Sequence, residues 1–352
     1  RLARIKRAAA FAAAEAKAPK TMQLRCGVHQ IPHPRKAMTG GEDSFFMAGS
    51  GMGVADGVGE WEWRFKINPR AFADELMFGA KAVVEAPPWE ARAAGSVTAA
   101  ASAKEQALRA LESGYNGSAS WGSATCCVAA LSTSERELGV ANLGDSGARI
   151  VRFGPEGVPQ VIERTVEQQH CFNCPFQLSR LPPKEEWEDV RARGYGELID
   201  AISGTSGAQD LPHKAALYSF QVQEGDLVIL GSDGLWDNLF EYELLELLED
   251  AAQKAARWDL DSSCSEDDDL LRKLGFTARR STRRRALTID PAMLAKTIAD
   301  KTFSRSAAMT GRTPFADSAE KFGLHHRGGK MDDITVVVGW VLQRGRCIPD
   351  RT

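Results

Sequence analysis

No stretch of the 352-residue chain reaches the ~18 consecutive apolar residues that a membrane-spanning helix needs, so a soluble protein with no membrane span is expected. Neither sign of charge dominates. The 44 Lys and Arg are balanced by 47 Asp and Glu, which gives no overall electrostatic case for nucleic acid or an anionic membrane as partner. Cysteine is sparse, and its count of seven is odd, which excludes a disulfide framework and points to a reducing compartment. Cys171 and Cys174 have the spacing of half a zinc site. The other close pair, Cys126 and Cys127, is adjacent and set in an apolar run, so buried thiols are expected rather than zinc. The six histidines (His29, His33, His170, His213, His325 and His326) are scattered, and none is expected as a ligand.

Against this background one stretch stands out: Met52-Gly-Val-Ala-Asp-Gly-Val-Gly-Glu-Trp61. An apolar run that ends in an aspartate and glycines brings one carboxylate to a tight turn with bare carbonyls, a place where hard divalent cations bind. A lone Asp-Gly of this kind is most often a solvated hairpin turn. The pattern is repeated, however. Asp145 follows Val140 to Gly144, Asp233 follows Leu227 to Ser232, and Asp332-Asp333 precede Ile334 to Val338. Strand-edge carboxylates at four places suggest convergence on shared cations, because gathered carboxylates repel one another unless neutralised.

In chain order, residues 1 to about 22 are basic and alanine-rich, a composition that fits either an organelle transit peptide or a solvated helical extension. Strands are expected over Gln23–His29, from Gly40 through Asp56, over Trp121–Leu131, Leu138–Leu143, Ala148–Phe153, Val158–Glu163, Leu217–Val222, Asp226–Gly231 and Asp333–Val341. Helices are expected from Asn68-Pro69 to Pro87, over Ala99–Leu111, Phe240–Ala256, Pro291–Ser304 and Phe315–Phe322. Ser179–His213 reads as a polar insertion over the surface, and 259–285, acidic then basic, as a solvated loop. Helices bracketing many strands suggest an α+β fold of two packed sheets with helices outside, in one domain over 23–343 with a tail over 344–352.

Taken in order, Gly41-Glu-Asp43, Val54-Ala-Asp-Gly-Val-Gly59, Trp121-Gly-Ser-Ala-Thr125, Ala141-Asn-Leu-Gly-Asp-Ser146, Gly231-Ser-Asp-Gly-Leu-Trp-Asp-Asn238 and Gly329-Lys-Met-Asp-Asp-Ile-Thr-Val-Val-Val338 resemble the signature set of the metal-dependent protein phosphatases of type 2C. The Asp-Gly-Val-Gly turn and Gln169-His-Cys-Phe-Asn-Cys-Pro-Phe-Gln-Leu178 are most similar to that family's organellar branch, mitochondrial or plastid. The resemblance implies an α-β-β-α sandwich of two antiparallel β-sheets and a cofactor of two Mn²⁺ or Mg²⁺ ions with a weaker third. Asp56 would bridge the two ions, with the Gly57 carbonyl on one and Asp233 and Asp332 on the other. Glu42 and Asp43 would act through water, and Asp145, helped by Asp237, would hold the third ion. Asp333 stands where the family has asparagine and would shape the turn. Val58 stands where many members have a proposed general acid, and Met38 where many have a phosphate-binding arginine, which leaves Arg35 and Lys36 as candidates for gripping phosphate.

The implied activity is hydrolysis of phosphoserine and phosphothreonine in protein substrates. Two such ions polarise phosphoryl oxygens and acidify a bridging water for in-line attack, with Asp56, Asp233 and Asp332 acting catalytically through that water. Ser123, Ser146 and Ser232 have no His-Asp pattern beside them and read as packing residues. A monomer in an organelle, or otherwise in the cytoplasm, is expected. The rival reading is a pseudophosphatase that binds phosphoproteins without turnover, for which Val58 and Met38 speak and against which the three aspartates speak. A third reading, a nucleic-acid binder using Arg279 to Arg285, is opposed by the acidic run upstream and the lack of interleaved aromatics.

Overall fold

The computed structural model describes residues 21–86, 102–132, 135–154, 156–204, 209–262 and 289–343. The amino-terminal extension, the tail, and the charged segment 259–285 beyond its first four residues lie outside the described residues. The strands in chain order are β1 (Met22–Ile31), β2 (Asp43–Ala48), β3 (Gly51–Asp56), β4 (Gly122–Ala124), β5 (Cys126–Leu131), β6 (Glu137–Leu143) and β7 (Gly147–Phe153). They continue with β8 (Pro159–Arg164), β9 (Gln169–Cys171), β10 (Cys174–Pro175), β11 (Leu178–Arg180), β12 (Ala216–Gln221), β13 (Leu227–Gly231) and β14 (Ile334–Gln343). Two antiparallel five-stranded sheets result, in the orders β1-β14-β13-β7-β8 and β12-β6-β5-β3-β2.

The strand sequences explain the layering. Successive side chains of a strand point to opposite faces, so a strand buried on both sides reads as a continuous apolar run. In β14, Val336, Val338, Trp340 and Leu342 pack with the helices Glu241–Ser262 and Pro291–Ser306, while Val337 and Val341 face the other sheet. In β5, Cys126, Val128 and Ala130 pack on the helices Pro69–Glu85 and Ala103–Gly117, while Cys127 and Ala129 join the layer between the sheets. The three apolar layers make the α-β-β-α sandwich. Side-chain caps fix two helix starts: Asn68 accepts from the Arg70 amide ahead of Pro69 as expected, whereas Ser102 and Glu105 form a capping box that starts the second helix at Ala103, past the expected Ala99.

Two expectations need correction. The strand expected over Trp121–Leu131 is split at Thr125, whose amide donates to the Asp56 carbonyl at 2.9 Å. The β4 half leaves the sheet to pair with β11. The stretch 179–213 is more than a polar cover: it holds β11's end and helices Trp187–Ala192 and Gly196–Gly204, with Val190, Leu198 and Ile199 buried.

Candidate metal centre

The two sheets deliver their carboxylates to one edge. Asp43 opens β2 and Asp56 closes β3, and the two are direct cross-strand partners. Asp145 follows β6 through Gly144, which holds φ at +104°; a β-carbon there would lie 2.6 Å from the Phe176 carbonyl oxygen, so the turn requires glycine. On the other sheet β13 ends at Gly231. Ser232 then caps the short helix Asp233–Trp236, and Asp332 and Asp333 lead into β14. Gly234 is packed so closely on this lead-in that an added β-carbon would sit 2.0 Å from the Asp333 carbonyl oxygen.

Hydrogen bonds fix the turns. Ser232 Oγ donates to Asp43 Oδ2 at 2.7 Å and accepts from the Thr335 amide at 3.1 Å, so it ties one sheet to the other. Asp333 accepts from the His33 amide at 2.6 Å and from the Glu42 amide at 2.8 Å, and so shapes the 33–42 turn as expected of it. Lys36 bonds to Glu42 Oε2 and lies 3.3 Å from Asp333 Oδ2. Arg35, the other phosphate-gripping candidate, is exposed, and so is Met38.

The electrostatics of the cluster are those of crowded acids. Burial, and then the charges of Asp43, Asp233, Asp332 and Asp145, push the Asp56 carboxyl well above the usual range. Burial and neighbouring carboxylates also raise Asp43 and Asp237 to about 7 and Asp332 to about 6. Asp145 is raised too, by burial and then by Asp233 and Asp237. Asp233 is the exception. Burial alone would raise it, but the Lys330 ammonium and a hydrogen bond with Asp56 hold it below the ordinary value.

Lys330 is the residue at the centre that the sequence reading missed. Its Nζ bonds Asp233 Oδ2, reaches Asp237 Oδ2 at 2.8 Å and lies 3.4 Å from Asp332 Oδ2. Its backbone is clamped by Asn238, which accepts from the Lys330 amide at 2.9 Å and donates to its carbonyl at 2.8 Å. The available signal was its place two residues before Asp332 within a glycine-flanked turn.

Among the described residues no three His, Cys, Asp or Glu side chains form a ready-made cage for one ion. The donor set nevertheless fits hard cations. Asp43 Oδ1, Asp145 Oδ1 and Asp233 Oδ1 are buried acceptors without a hydrogen-bond donor, and a cation is the partner such oxygens lack. The carboxylates sit at rigid strand ends, whereas the long Lys330 side chain can move aside, so the oxygens rather than the ammonium define the site.

The candidate serines are occupied structurally. Ser123 Oγ accepts from Trp61 Nε1 at 2.9 Å, and Ser146 Oγ shares a 2.7 Å bond with Thr125 Oγ1. Beside the centre runs a groove of ≈ 980 Å³ whose walls include Val58, Trp61, Tyr115, His170, Trp187 and Leu198. His170 Nε2 is 2.8 Å from Asp210 Oδ2 there. Cys171 and Cys174 are not buried as the thiols were expected to be: Cys171 is exposed and Cys174 half-buried, whereas Cys126 and Cys127 are fully buried.

No protein-family model matches the chain. It is 31% identical over 314 residues to the protein phosphatase PTC7 homolog of Xenopus laevis, covering 88% of this chain and 84% of that protein. It is also 31% identical over 324 residues to the probable protein phosphatase 2C 55 of Arabidopsis thaliana, covering 92% of this chain but only 52% of the relative. The chain thus spans about half the length of that plant protein. Among solved structures, that of the photosystem II phosphatase PBCP matches with a TM-score of 0.59 and 25% identity, over 93% of this chain and all of that one.

Proposed function

Because the chain belongs to the protein phosphatase 2C family, we propose that it is a metal-dependent phosphatase acting on phosphoserine and phosphothreonine in proteins, with residues 23–343 as the catalytic unit. The observation that carries this reading is the gathering of Asp43, Asp56, Asp145, Asp233 and Asp332 from both sheets at one edge of the sandwich, with three buried carboxylate oxygens left without a donor.

Asp56, the Gly57 carbonyl, Asp233 and Asp332 would hold two Mn²⁺ or Mg²⁺ ions, Glu42 and Asp43 would act through water, and Asp145 with Asp237 would serve a third. When bound, such ions withdraw charge from the phosphoryl oxygens and acidify a water for attack on phosphorus. The chain's own contribution is placement. Ser232 and Asp333 keep the carboxylates of the two sheets in register, and Lys36, already at Glu42, is the cation within reach of an incoming phosphate. Ser123 and Ser146, near the centre, are engaged in hydrogen bonds of the fold, so this reading takes water rather than a side chain as the nucleophile. Val58 has no ionisable proton, so the leaving oxygen would take its proton from water or from another side chain of the groove. No observation favours the binding-only alternative, since the three aspartates that argued against it come together.

The test is hydrolysis of a phosphothreonine peptide by the purified chain, with Mn²⁺ and with a chelator. Turnover that needs the metal supports the reading, and equal turnover without metal, or none with it, refutes it. The basic, alanine-rich residues 1–22 support a place in a mitochondrion or plastid, which a fluorescent fusion of the full-length protein would check.

A further inference from the structure

Cys171 and Cys174 flank the two-residue turn Phe172-Asn173 that joins β9 to β10, and they are direct cross-strand partners. Asn173 takes the left-handed conformation, with φ 53°, that lets so short a turn close. Directly opposed residues of an antiparallel pair have α-carbons about 4.5–5.5 Å apart. A disulfide accepts α-carbons about 4.4–6.8 Å apart, so these two cysteines can be bridged with little movement of the backbone. Cys171 is exposed to reagents in solution, whereas Cys126 and Cys127 are sealed in the core.

The hairpin also touches the metal centre. Phe172, at its tip, packs on Phe315 and Phe322 with ring centroids 5.2 and 5.3 Å away. Phe315 in turn donates its amide to the Asp237 carbonyl at 3.0 Å, and its ring lies 5.4 Å from Lys330 Nζ. The tip is therefore linked by packing to the side of the centre where Asp237 sits.

We propose that Cys171 and Cys174 form a reversible dithiol–disulfide site, oxidised by hydrogen peroxide and reduced by a dithiol, that controls cation binding beside Asp237. The part concerning cations rests on the metal-centre reading above; the disulfide does not. In the first step the exposed Cys171 thiolate attacks one peroxide oxygen, which breaks the O–O bond, releases hydroxide and leaves a sulfenic acid. The Cys174 sulfur then displaces that hydroxyl as water and the S–S bond forms. In sum, two thiols give up two electrons and two protons and one peroxide becomes two waters. The bridge fixes the hairpin tip, so Phe172 can no longer follow Phe315, whose amide holds the Asp237 carbonyl, when that segment adjusts to a cation.

The experiment uses the full chain, reduced or treated with hydrogen peroxide, followed by alkylation, peptide mapping and Mn²⁺ titration by calorimetry. The expected result is a peptide joining Cys171 to Cys174, lighter by two hydrogens and restored by dithiothreitol, together with a severalfold weaker affinity for the weakest-bound Mn²⁺. Cys171→Ser and Cys174→Ser should each bind Mn²⁺ as the reduced protein does and should not respond to peroxide. Recovery of both cysteines as alkylated thiols after peroxide, or of Cys171 as a sulfinic acid with Cys174 free, would overturn the site. A disulfide that forms without changing Mn²⁺ affinity would overturn its control of the centre. If the reduced protein binds no Mn²⁺ at all, the metal-centre reading fails, and the peptide map still decides the dithiol.

Discussion

Replacing Lys330 by methionine tests how the acidic cluster is neutralised. The ammonium is nearly buried and lies among Asp233, Asp237 and Asp332, so the change removes the one positive charge shared by three carboxylates while keeping most of the side-chain volume. Removing one partner of a buried ion pair costs about 3–5 kcal/mol, because the remaining charge is left uncompensated. In a chain of this length each kcal/mol lowers the melting midpoint by roughly 1.4 °C, so a fall of about 4–7 °C is expected in chelator. Divalent cations take over the neutralisation, so added Mn²⁺ should close most of that gap. By the same linkage the variant should reach half-saturation at about tenfold less Mn²⁺ or lower, since at least 1.4 kcal/mol of competition is gone. Scanning fluorimetry over a Mn²⁺ series measures both quantities. Equal midpoints of the variant and the parent in chelator, with the same Mn²⁺ dependence, would show that Lys330 neutralises nothing and that the cluster holds its charge in another way.

Other substitutions and conditions probe the same edge. Asp56→Asn and Asp233→Asn should each lower Mn²⁺-dependent turnover by orders of magnitude while circular dichroism stays native; near-normal turnover would remove them from the ligand set. Asp43 and Asp237 are raised to about 7 and Asp332 to about 6, so the folded chain holds protons that the unfolded chain has released. Their stabilising effect is complete below the ordinary carboxylate range and is lost as pH rises through about 6–7. The midpoint in chelator should therefore fall between pH 5 and pH 8 while the gain from Mn²⁺ grows, and a gain independent of pH would refute the crowding argument. Gly234→Ala, which drives a β-carbon to 2.0 Å from the Asp333 carbonyl oxygen, should destabilise the protein and weaken Mn²⁺ binding together; a neutral effect on both would show that the turn has slack.

The sequence made the sandwich legible because its central strands are buried on both faces. Runs such as Ile334 to Val338 and Cys126 to Leu131 can satisfy neither a solvated sheet nor an isolated helix. The aspartates were legible for a related reason: each follows or precedes such a run, so the turn position is readable from the run alone. Less visible were features that depend on distant partners. The break at Thr125 arises from its bond to the Asp56 carbonyl, with no proline or glycine at that residue to announce it. The helices Trp187–Ala192 and Gly196–Gly204 are too short for a periodic apolar pattern to emerge from their charged surroundings. Lys330 reads as an ordinary surface lysine until Asp233 and Asp237, nearly a hundred residues upstream, are brought beside it.

The pairing of β1 with β14 joins the first described strand to the last, in register from Met22↔Gln343 to Ile31↔Ile334. β1 has no other neighbour in its sheet, and β14 separates it from β13. During synthesis the amino-terminal strand must therefore wait, unpaired, until more than three hundred further residues have been made. The same late segment brings Asp332 and the Asp333 clamp on the 33–42 turn, so the centre is completed only when it is made. A chain ending before residue 334 would lack the strand between β1 and β13 and leave both with an unpaired edge, the kind of open edge that invites pairing with another chain.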